Sequence, residues 1–434
     1  MAVCVFFAMK KKRISSWHDI ISGKCKNDCG EKLLKNAEMK ITRWPYLVAG
    51  VVMMFLAGII YAWSILKVPL ATEFGWNDMQ LGLNFTLTMC GFCIGGIFGG
   101  IILKRLSPQI TVILSGVLTF CGFFGSSQLS GVVVFLYIFY GMSAGIGIGI
   151  MYNVVVTSIT KWFPDKHATA SGALMMGFGA SPLILGPVIN ELINTSGWRN
   201  AYFLFGLAVA VVLIIGSFFL KPPDARVNSL VATGSKSVNE EGTDLTTKEM
   251  VKKSSFWKYY CLLLLLSAIG TVIISLLRDV SISVGTTESL AVLLVGVLSV
   301  CNGIGRIIAG FLFDNIGRRN AMLLANGFYI IACMIMLVAV LTSSTPFLVV
   351  GLILTGLTYG TLPPTASGVI KSFYGSKNFA LNFSMINTML IPASFGATIA
   401  GAIIGATASF TPVFIMLLCF SIVAFCINIT LKKA

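Results

Sequence analysis

Two arginines lie inside long apolar stretches of the sequence, Arg306 and Arg278. A charge within an apolar segment of membrane-spanning length is costly, and it usually marks a functional site. The two arginines differ in predicted depth. At a rise of about 1.5 Å per residue, Arg306 lies about 12 Å from Asp314 at the surface and therefore near the middle of the membrane, whereas Arg278 lies about 30 Å beyond Lys258, at the far boundary.

Arg306 is the better candidate for a substrate contact. Its guanidinium presents a planar fork of donors that matches a carboxylate, and it stays charged when water is removed. The alternative is an arginine that only bonds backbone carbonyls of neighbouring helices, and this alternative remains open. Arg278 is followed by Asp279, which favours an ion pair at a helix end over a gate or a second anion contact.

Four aromatic residues are predicted to line the same cavity: Tyr61, Trp63, Tyr152 and Tyr359. Membrane tyrosines and tryptophans more often anchor a helix at the interface or pack within a bundle. Tyr61 could be such an anchor near the outer interface. Tyr152 and Tyr359 both lie in glycine-rich stretches, which favours a cavity position for them.

The other polar residues exclude several classes of function. All but one of the 16 acids lie in tails, loops or segment ends, and the exception is Asp279. A carrier of cations usually needs a buried acid, and none is present here. His18 and His167 lie outside the apolar segments, and Cys25 and Cys29 lack two further ligands for a metal. With no paired carboxylates and no nucleophile motif, the sequence predicts neither an enzyme nor a cofactor or metal site.

The elements that position these residues are helices in lipid. The chain of 434 residues is 56% hydrophobic and only 11% charged, against about 25% charged in a soluble domain. Its continuous apolar runs do not alternate, which disfavours a barrel. We predict an all-α integral membrane protein with twelve transmembrane helices in two six-helix bundles. The predicted spans, numbered 1 to 12, are 44–66, 80–103, 110–128, 131–157, 168–192, 199–220, 257–281, 289–312, 320–341, 347–370, 378–403 and 409–430.

The net charge of +15 is explained by topology and does not predict nucleic-acid binding. All but four of the 31 lysines and arginines lie in the tails, in the even-numbered loops or at the edges of those loops. Lys67 and Arg199 border odd-numbered loops, and Arg278 and Arg306 lie within spans. Positive residues accumulate on the cytoplasmic side. We therefore predict a multi-pass protein of the cell membrane with both termini in the cytoplasm.

The domain organisation follows from the spans and from one polar stretch. We predict a cytoplasmic tail at 1–43, a first bundle at 44–220, a cytoplasmic linker at 221–256, a second bundle at 257–430 and a short tail at 431–434. The linker is rich in Ser, Thr and acids, as expected of a segment between two units.

The two halves repeat one another. Gly99-Gly100 ends span 2 and is followed by Lys104-Arg105, and Gly310 ends span 8 in the same way. The separation in sequence between Tyr152 in span 4 and Tyr359 in span 10 is nearly the same as that between Gly100 and Gly310. Parallel repeats of six spans are typical of transporters whose halves rock around a site at the membrane midplane.

Several strings carry a family resemblance. The stretch from Gly310 to Arg319 resembles the G-x-L-x-D-R-x-G-R-R loop of the major facilitator superfamily, with Asn315 in place of the first Arg. In the first-half copy Lys104 takes the acidic position. Further strings, taken in order, resemble the oxalate/formate antiporter family, which is related to the monocarboxylate transporters. They are Tyr61-Ala62-Trp63-Ser64, Lys161-Trp162-Phe163-Pro164-Asp165-Lys166, Gly177-Phe178-Gly179, Asn302-Gly303-Ile304-Gly305-Arg306 and Tyr374-Gly375-Ser376-Lys377-Asn378.

The resemblance implies roles for particular residues. The matching Arg of span 8 pairs with a substrate carboxylate, and aromatic residues cage it. The superfamily loop implies a conformational switch at Gly310, Asp314, Gly317, Arg318 and Arg319. Proton-coupled monocarboxylate transporters carry an Asp where this chain has Asn302, so a proton relay of that kind is not expected. Oxalate exchangers carry a Lys where this chain has Leu390, and one cation cannot neutralise a dianion.

The sequence thus predicts a monomeric carrier in the lipid bilayer that moves a small organic anion, most simply a monocarboxylate, by alternating access. Transport would be exchange or movement down gradients. A proton-linked metabolite symporter is the first alternative, and uptake that acidifies the lumen of a vesicle would identify it. A non-transporting membrane sensor is the alternative of another class, and a large soluble signalling domain would favour it.

Overall fold

The computed structural model describes residues 43–223 and 244–431, and twelve helices in these ranges are long and apolar enough to cross a membrane. The prediction of twelve helical spans is confirmed. The observed spans are Arg43–Phe74, Gln80–Ile102, Pro108–Ser127, Val133–Trp162, His167–Ser196, Trp198–Ser217, Ser254–Ser283, Leu293–Ile316, Arg318–Thr342, Thr345–Tyr374, Phe379–Thr407 and Thr411–Thr430.

Several helices extend beyond the predicted boundaries. Span 1 continues past residue 66 to Phe74, span 5 continues past 192 to Ser196, and span 7 begins at Ser254 instead of 257. Hydropathy identifies only the apolar part of a helix. The backbone hydrogen bonds continue into the polar boundary, where charged and amide side chains are solvated.

The linker predicted at 221–256 contains one short helix within its described part, Thr247–Lys252. Thr246 and Glu249 form a capping box at its start, which satisfies the first free backbone amides. Most of the predicted tails and the centre of the linker, including Cys25 and Cys29, lie outside the described residues.

Each half packs mainly against itself. In the first half, span 2 packs against span 4 and span 3 against span 6; in the second, span 10 packs against spans 8 and 9, and span 7 against spans 11 and 12. Glycine permits the close crossings, because a Cβ at Gly145 would lie 2.7 Å from the carbonyl oxygen of Thr88. The two halves meet where span 5 contacts span 8 and span 2 contacts span 11.

The halves are joined at the end of the spans that carries Lys104, Arg105, Arg318 and Arg319, which we call the basic end. There the Asn153 amide donates to the carbonyl oxygens of Gly96 at 2.6 Å and Ala380 at 2.8 Å, so spans 2, 4 and 11 share one side chain. A Cβ at Gly100 would lie 2.9 Å from the Cα of Leu381 on span 11. No space for a substrate remains between these backbones.

At the opposite end the same helices stand apart. Gly82 lies five helical turns from Gly100 and therefore on the same face of span 2. A Cβ at Gly82 would have no neighbour within 4 Å, and the same holds for Gly296 of span 8 and for Gly401 and Gly405 of span 11. Spans 2 and 11 are therefore in contact at the basic end and diverge towards the opposite end.

Three spans are interrupted near their middle. Span 1 contains a 3-10 segment at Gly58–Ala62, and span 10 changes from Thr345–Gly360 to Leu362–Tyr374 around Thr361. Pro363 and Pro364 follow that break and cannot donate backbone hydrogen bonds. Span 11 changes from Phe379–Asn387 to Leu390–Thr407. Interrupted helices at this depth are typical of transporter binding sites.

Candidate functional site

A cavity of about 60 Å³ lies between the two halves. Residues from all three interrupted spans line it, together with residues of spans 2, 4, 5, 7 and 8. The lining is Tyr61, Phe92, Tyr152, Phe178, Ser267, Arg306, Tyr359, Leu362, Pro363, Ala366, Asn387, Met389 and Leu390. The cavity therefore brings together five of the residues that the sequence predicted for a substrate site.

Glycines on two neighbouring helices position Arg306. On span 5, a Cβ at Gly172 would lie 2.5 Å from the Arg306 carbonyl oxygen, and one at Gly179 would lie 2.5 Å from Nη1 and 2.6 Å from Cζ. On span 10, a Cβ at Gly360 would lie 3.0 Å from the Arg306 amide nitrogen. The backbone and guanidinium of Arg306 thus occupy space that any larger residue would fill, and the side chain is only 7% exposed.

The guanidinium of Arg306 has one direct partner among the described residues. Nη1 donates to the carbonyl oxygen of Met175 on span 5, and Nε is buried without a hydrogen-bond partner. No acid within hydrogen-bonding range balances its charge in the described part of the chain. The carbonyl contact that was the alternative to substrate binding does occur, but it leaves a buried donor and the positive charge unmatched, which is costly without a ligand.

Aromatic rings line the cavity on the side of the first half. Tyr61 meets Phe178 edge to face with ring centroids 5.2 Å apart, and Tyr152 meets Phe178 at 5.3 Å and Phe92 at 5.1 Å. Tyr152 also stacks on Phe383 of span 11 at 6.2 Å. Tyr61 is 37% exposed, in keeping with its place on an open cavity wall. These rings form an apolar wall of the cavity, and Arg306 is the one charged residue in its lining.

The second half supplies the opposite wall. The Tyr359 ring fits against Gly270 of span 7, where a Cβ would lie 2.7 Å from the ring carbon Cγ. Leu390 begins the second helix of span 11 and lines the cavity. It takes the position where oxalate exchangers carry a Lys. Besides Arg306 and the Tyr359 hydroxyl, the second half adds the polar side chains of Ser267 and Asn387, which are uncharged.

Two predicted site residues lie outside the cavity lining. Trp63 is 5% exposed; its Nε1 donates to the Leu81 carbonyl oxygen at 3.1 Å, and its ring packs against Tyr140 at 4.8 Å. It therefore packs within the first half, because residues two apart on a helix face different directions. Asn302 lies one turn from Arg306, with its Oδ1 buried and without a partner.

The residues of the predicted switch loop lie at the basic end. Asp314 accepts hydrogen bonds from Thr169 N at 2.7 Å, Thr169 Oγ1 at 2.7 Å and Ala168 N at 3.2 Å. These amides belong to the first turn of span 5, where a carboxylate also interacts favourably with the helix dipole. A Cβ at Gly310 would lie 2.9 Å from the Cα of Thr169. This loop thus joins the second half to the first.

The rest of the loop turns the chain between spans 8 and 9. Gly317 has a φ of +81°, in the left-handed region that favours glycine. The Arg318 guanidinium lies 4.4 Å from the centre of the Phe373 ring of span 10, a cation–π contact within the second half. Arg319 is exposed.

Sequence reasoning missed several lining residues. Phe178 stands between Gly177 and Gly179, and the glycines could have indicated a close approach of another side chain. Asn387 and Met389 lie at the break of span 11, which Pro392 could have indicated, because a proline has no N–H to donate to the carbonyl four residues earlier, that of Thr388. Phe92 is an ordinary apolar residue within span 2, and the sequence gives it no signal.

Charged residues other than Arg306 do not line this cavity. Arg278 and Asp279 form an ion pair at 3.7 Å with about half of each side chain exposed, as expected for a pair at a helix end. Among residues 43–223 and 244–431, no group of three or more His, Cys, Asp or Glu could hold a metal ion. The site is therefore a monocationic pocket with an apolar wall.

Comparison with known families agrees with this architecture. The model of the Major Facilitator Superfamily matches residues 46–278 and 268–433, which is nearly the whole chain outside the first tail. The first match contains the first half and extends into span 7, and the second contains spans 8 to 12.

Among curated proteins, the chain is 24% identical over 365 residues to the oxalate:formate antiporter of Oxalobacter formigenes, covering 83% of this chain and 85% of the relative. It is 25% identical over 282 residues to human monocarboxylate transporter 12, covering 59% of this chain and 54% of that protein.

Solved structures share the fold. The proton:xylose symporter XylE, bound to 6-bromo-6-deoxy-D-glucose, superimposes with a TM-score of 0.70 at 14% identity, covering 90% of this chain and 97% of that chain. The transporter FucP in its outward conformation superimposes with a TM-score of 0.64 at 15% identity, covering 89% and 99%. At this identity the likeness concerns the fold alone.

Proposed function

The chain belongs to the major facilitator superfamily of transporters, and from this premise we propose that it carries a small monocarboxylate by alternating access, with the carboxylate bound to Arg306. The observation that carries the proposal is the isolated charge of Arg306 in the cavity lining. The relatives named for carrying oxalate, formate and monocarboxylates support the class of substrate.

Charge balance favours a monoanion. A buried guanidinium without an acid is costly, and a carboxylate would satisfy both its charge and its fork of donors. A dianion would bring a second carboxylate against Leu390 and the aromatic rings, where no cation could pair with it. A cation or a neutral sugar would leave Arg306 unpaired.

The size of the cavity favours a small substrate. A cavity of 60 Å³ is only a few times the minimum of about 10–15 Å³ that one water requires, so it has room for only a handful of non-hydrogen atoms. Acetate, lactate and pyruvate have about that number of non-hydrogen atoms, and formate is smaller. Oxalate would also fit by volume, so charge is what separates it from these monocarboxylates.

The two ends of the structure support alternating access. The cavity lies between halves that touch at the basic end and stand apart at the opposite end. We place the basic end in the cytoplasm of the cell, because lysines and arginines accumulate on that side of a membrane protein. On this orientation the site is open to the outside, and the reverse step requires the contacts of Asp314 and Asn153 to break.

The lining contains no acid or histidine that could carry a proton alongside the substrate. We therefore propose exchange of carboxylates, or movement set by their gradients, as the mode of transport.

The proposal is tested with purified protein in proteoliposomes and a panel of radiolabelled carboxylates. Arg306→Gln should abolish uptake, because the amide offers neither charge nor fork. Arg306→Lys should retain only part of the activity, because a point charge replaces a bidentate donor. Arg278→Gln is the matched control, since it removes a membrane arginine outside the cavity, and it should transport at nearly the wild-type rate.

Two results would contradict the proposal. Wild-type uptake by Arg306→Gln, with Arg278→Gln equally active, would remove Arg306 from the substrate site. Failure of every carboxylate to be taken up by the wild-type protein, when the protein is folded and inserted, would reject the substrate class.

A further inference from the structure

A second and larger cavity lies at the basic end, away from the site around Arg306. Its volume is about 480 Å³. The ends of spans 2 and 4, the start of span 3, the residues after span 6 and the start of span 11 all contribute to its lining. Four lysines and no acids line it: Lys104, Lys161, Lys221 and Lys377.

Among the described residues, no ion pair balances the positive charges of these four lysines. Four like charges around one cavity repel each other. Asp244 accepts a hydrogen bond from the Lys377 backbone amide at 2.9 Å. That acid is not part of the cavity lining. The cavity is therefore strongly positive and suited to an anion.

A helix end adds to this field. Span 3 is a helix of 20 residues, Pro108–Ser127, and Ser107 is its N-cap. Ser107, Pro108 and Gln109 line the cavity, so the positive end of the helix dipole borders it. Thr157 and Ser158 of span 4 add hydroxyl groups to the lining. Phosphate oxygens accept hydrogen bonds from lysine ammonium groups and from hydroxyl groups such as those of Ser107 and Ser158.

We propose that this cavity binds the phosphate of an anionic phospholipid headgroup. The position at the ends of the spans places it level with the headgroups of one leaflet, where basic pockets between transmembrane helices bind such lipids. Large apolar side chains are exposed beside it, namely Ile101 at 45%, Leu106 at 40% and Ile110 at 48%. They offer acyl chains a surface that a free phosphate would not use.

The bound lipid would favour one conformation of the carrier. Lys104 and Lys161 belong to the first half and Lys221 follows its last span, whereas Lys377 and Leu381 belong to the second half. Gly100 and Leu381, which are in backbone contact, both line the cavity. Opening the basic end would separate them and divide the cavity. A ligand that binds only the closed arrangement shifts the equilibrium towards it.

The test measures lipid binding to the full-length protein by native mass spectrometry, from nanodiscs of phosphatidylcholine with or without phosphatidylglycerol. The Lys104→Gln, Lys161→Gln, Lys221→Gln triple variant removes three lysines of the cavity. The Lys252→Gln, Lys253→Gln, Lys258→Gln triple variant is the matched control, because it removes the same charge at the same end from lysines that do not line the cavity.

We expect the wild-type protein and the control to retain phosphatidylglycerol in preference to phosphatidylcholine. The cavity triple should lose roughly tenfold or more in affinity for it, since each lysine near a membrane surface contributes to the attraction of anionic lipid. The single change Lys377→Gln should lower the affinity as well, and it keeps the test valid if the triple fails to fold. Equal retention by the cavity variants and the control would overturn the site.

Soluble anions test whether the cavity binds the phosphate of a lipid headgroup or a free phosphate. Inorganic phosphate and glycerol 3-phosphate, added to protein in phosphatidylcholine nanodiscs, should displace phosphatidylglycerol only weakly. If either soluble anion binds the wild-type protein as tightly as the lipid does, and the cavity triple loses that binding, the lipid assignment is wrong. Because binding is read without substrate, the result is independent of whether the carrier transports a carboxylate.

Discussion

Replacement of Asp314 by Asn should open the basic end of the carrier. The carboxylate accepts three hydrogen bonds from the first turn of span 5, two of them at 2.7 Å and one at 3.2 Å, and all three cross between the halves. An Asn side chain is nearly the same size. It keeps one acceptor oxygen but presents an NH₂ group to the remaining donors, and it loses the charge at the helix N-terminus.

The magnitude follows from these contacts. A hydrogen bond to a charged group contributes about 1.5–3 kcal/mol. The carboxylate is hydrated when the end opens, and Asn recovers one bond, so the net loss for the set should be about 2–3 kcal/mol. At about 1.4 kcal/mol for each factor of ten, the ratio of closed to open molecules should fall about 30- to 140-fold.

The assay is a distance distribution between spin labels at Arg105→Cys and Asn320→Cys, two exposed positions in different halves at the basic end. The labels are introduced after replacement of the native cysteines. The wild-type protein should show mainly the short distance, and Asp314→Asn should show a large population at a longer one. Asn315→Ala is the control, because the Asn315 side chain is exposed and bonds only the Phe311 carbonyl of its own helix.

An unchanged distribution in Asp314→Asn would refute the reasoning, because it would mean that the span 5 contacts do not hold the halves together. An equal change in Asn315→Ala would also refute it, since the effect would then come from general disturbance of the loop.

Two further predictions concern the cavity. Gly179→Ala should abolish carboxylate uptake with normal expression, because the new Cβ would lie 2.5 Å from Nη1 of Arg306. The control Gly327→Ala should transport normally, because a Cβ there meets nothing within 4 Å. Normal uptake by both variants would contradict the placement of the guanidinium. In wild-type protein, oxalate should compete with a labelled monocarboxylate far more weakly than the best monoanion does, since an unpaired second carboxylate costs several kcal/mol. Leu390→Lys should strengthen that competition, and equally strong competition by oxalate in the wild type would mean that a second cation reaches the site.

The sequence by itself determined the class of protein and the number of spans. Each of these depends on local sums: apolar surface over a window of about 20 residues, a fixed rise per residue and the distribution of lysine and arginine among loops. Such properties do not depend on which helix packs against which. The observed helix boundaries differ from the predicted ones by several residues, because hydropathy identifies the apolar part of a helix and not the residues where its hydrogen bonds begin and end.

The direction of each side chain was decided only by the tertiary structure. Tyr61 and Trp63 are two residues apart and were predicted for one cavity, but the 3-10 segment Gly58–Ala62 carries Tyr61 into it, while Trp63 packs on Tyr140. The phase of a helix after such a segment depends on tertiary packing, so the local pattern could not fix it. The contact of Arg306 with Met175 and the closure at Asp314 join residues more than a hundred positions apart. Contacts at that separation depend on how whole helices pack, and no periodicity within one segment encodes them.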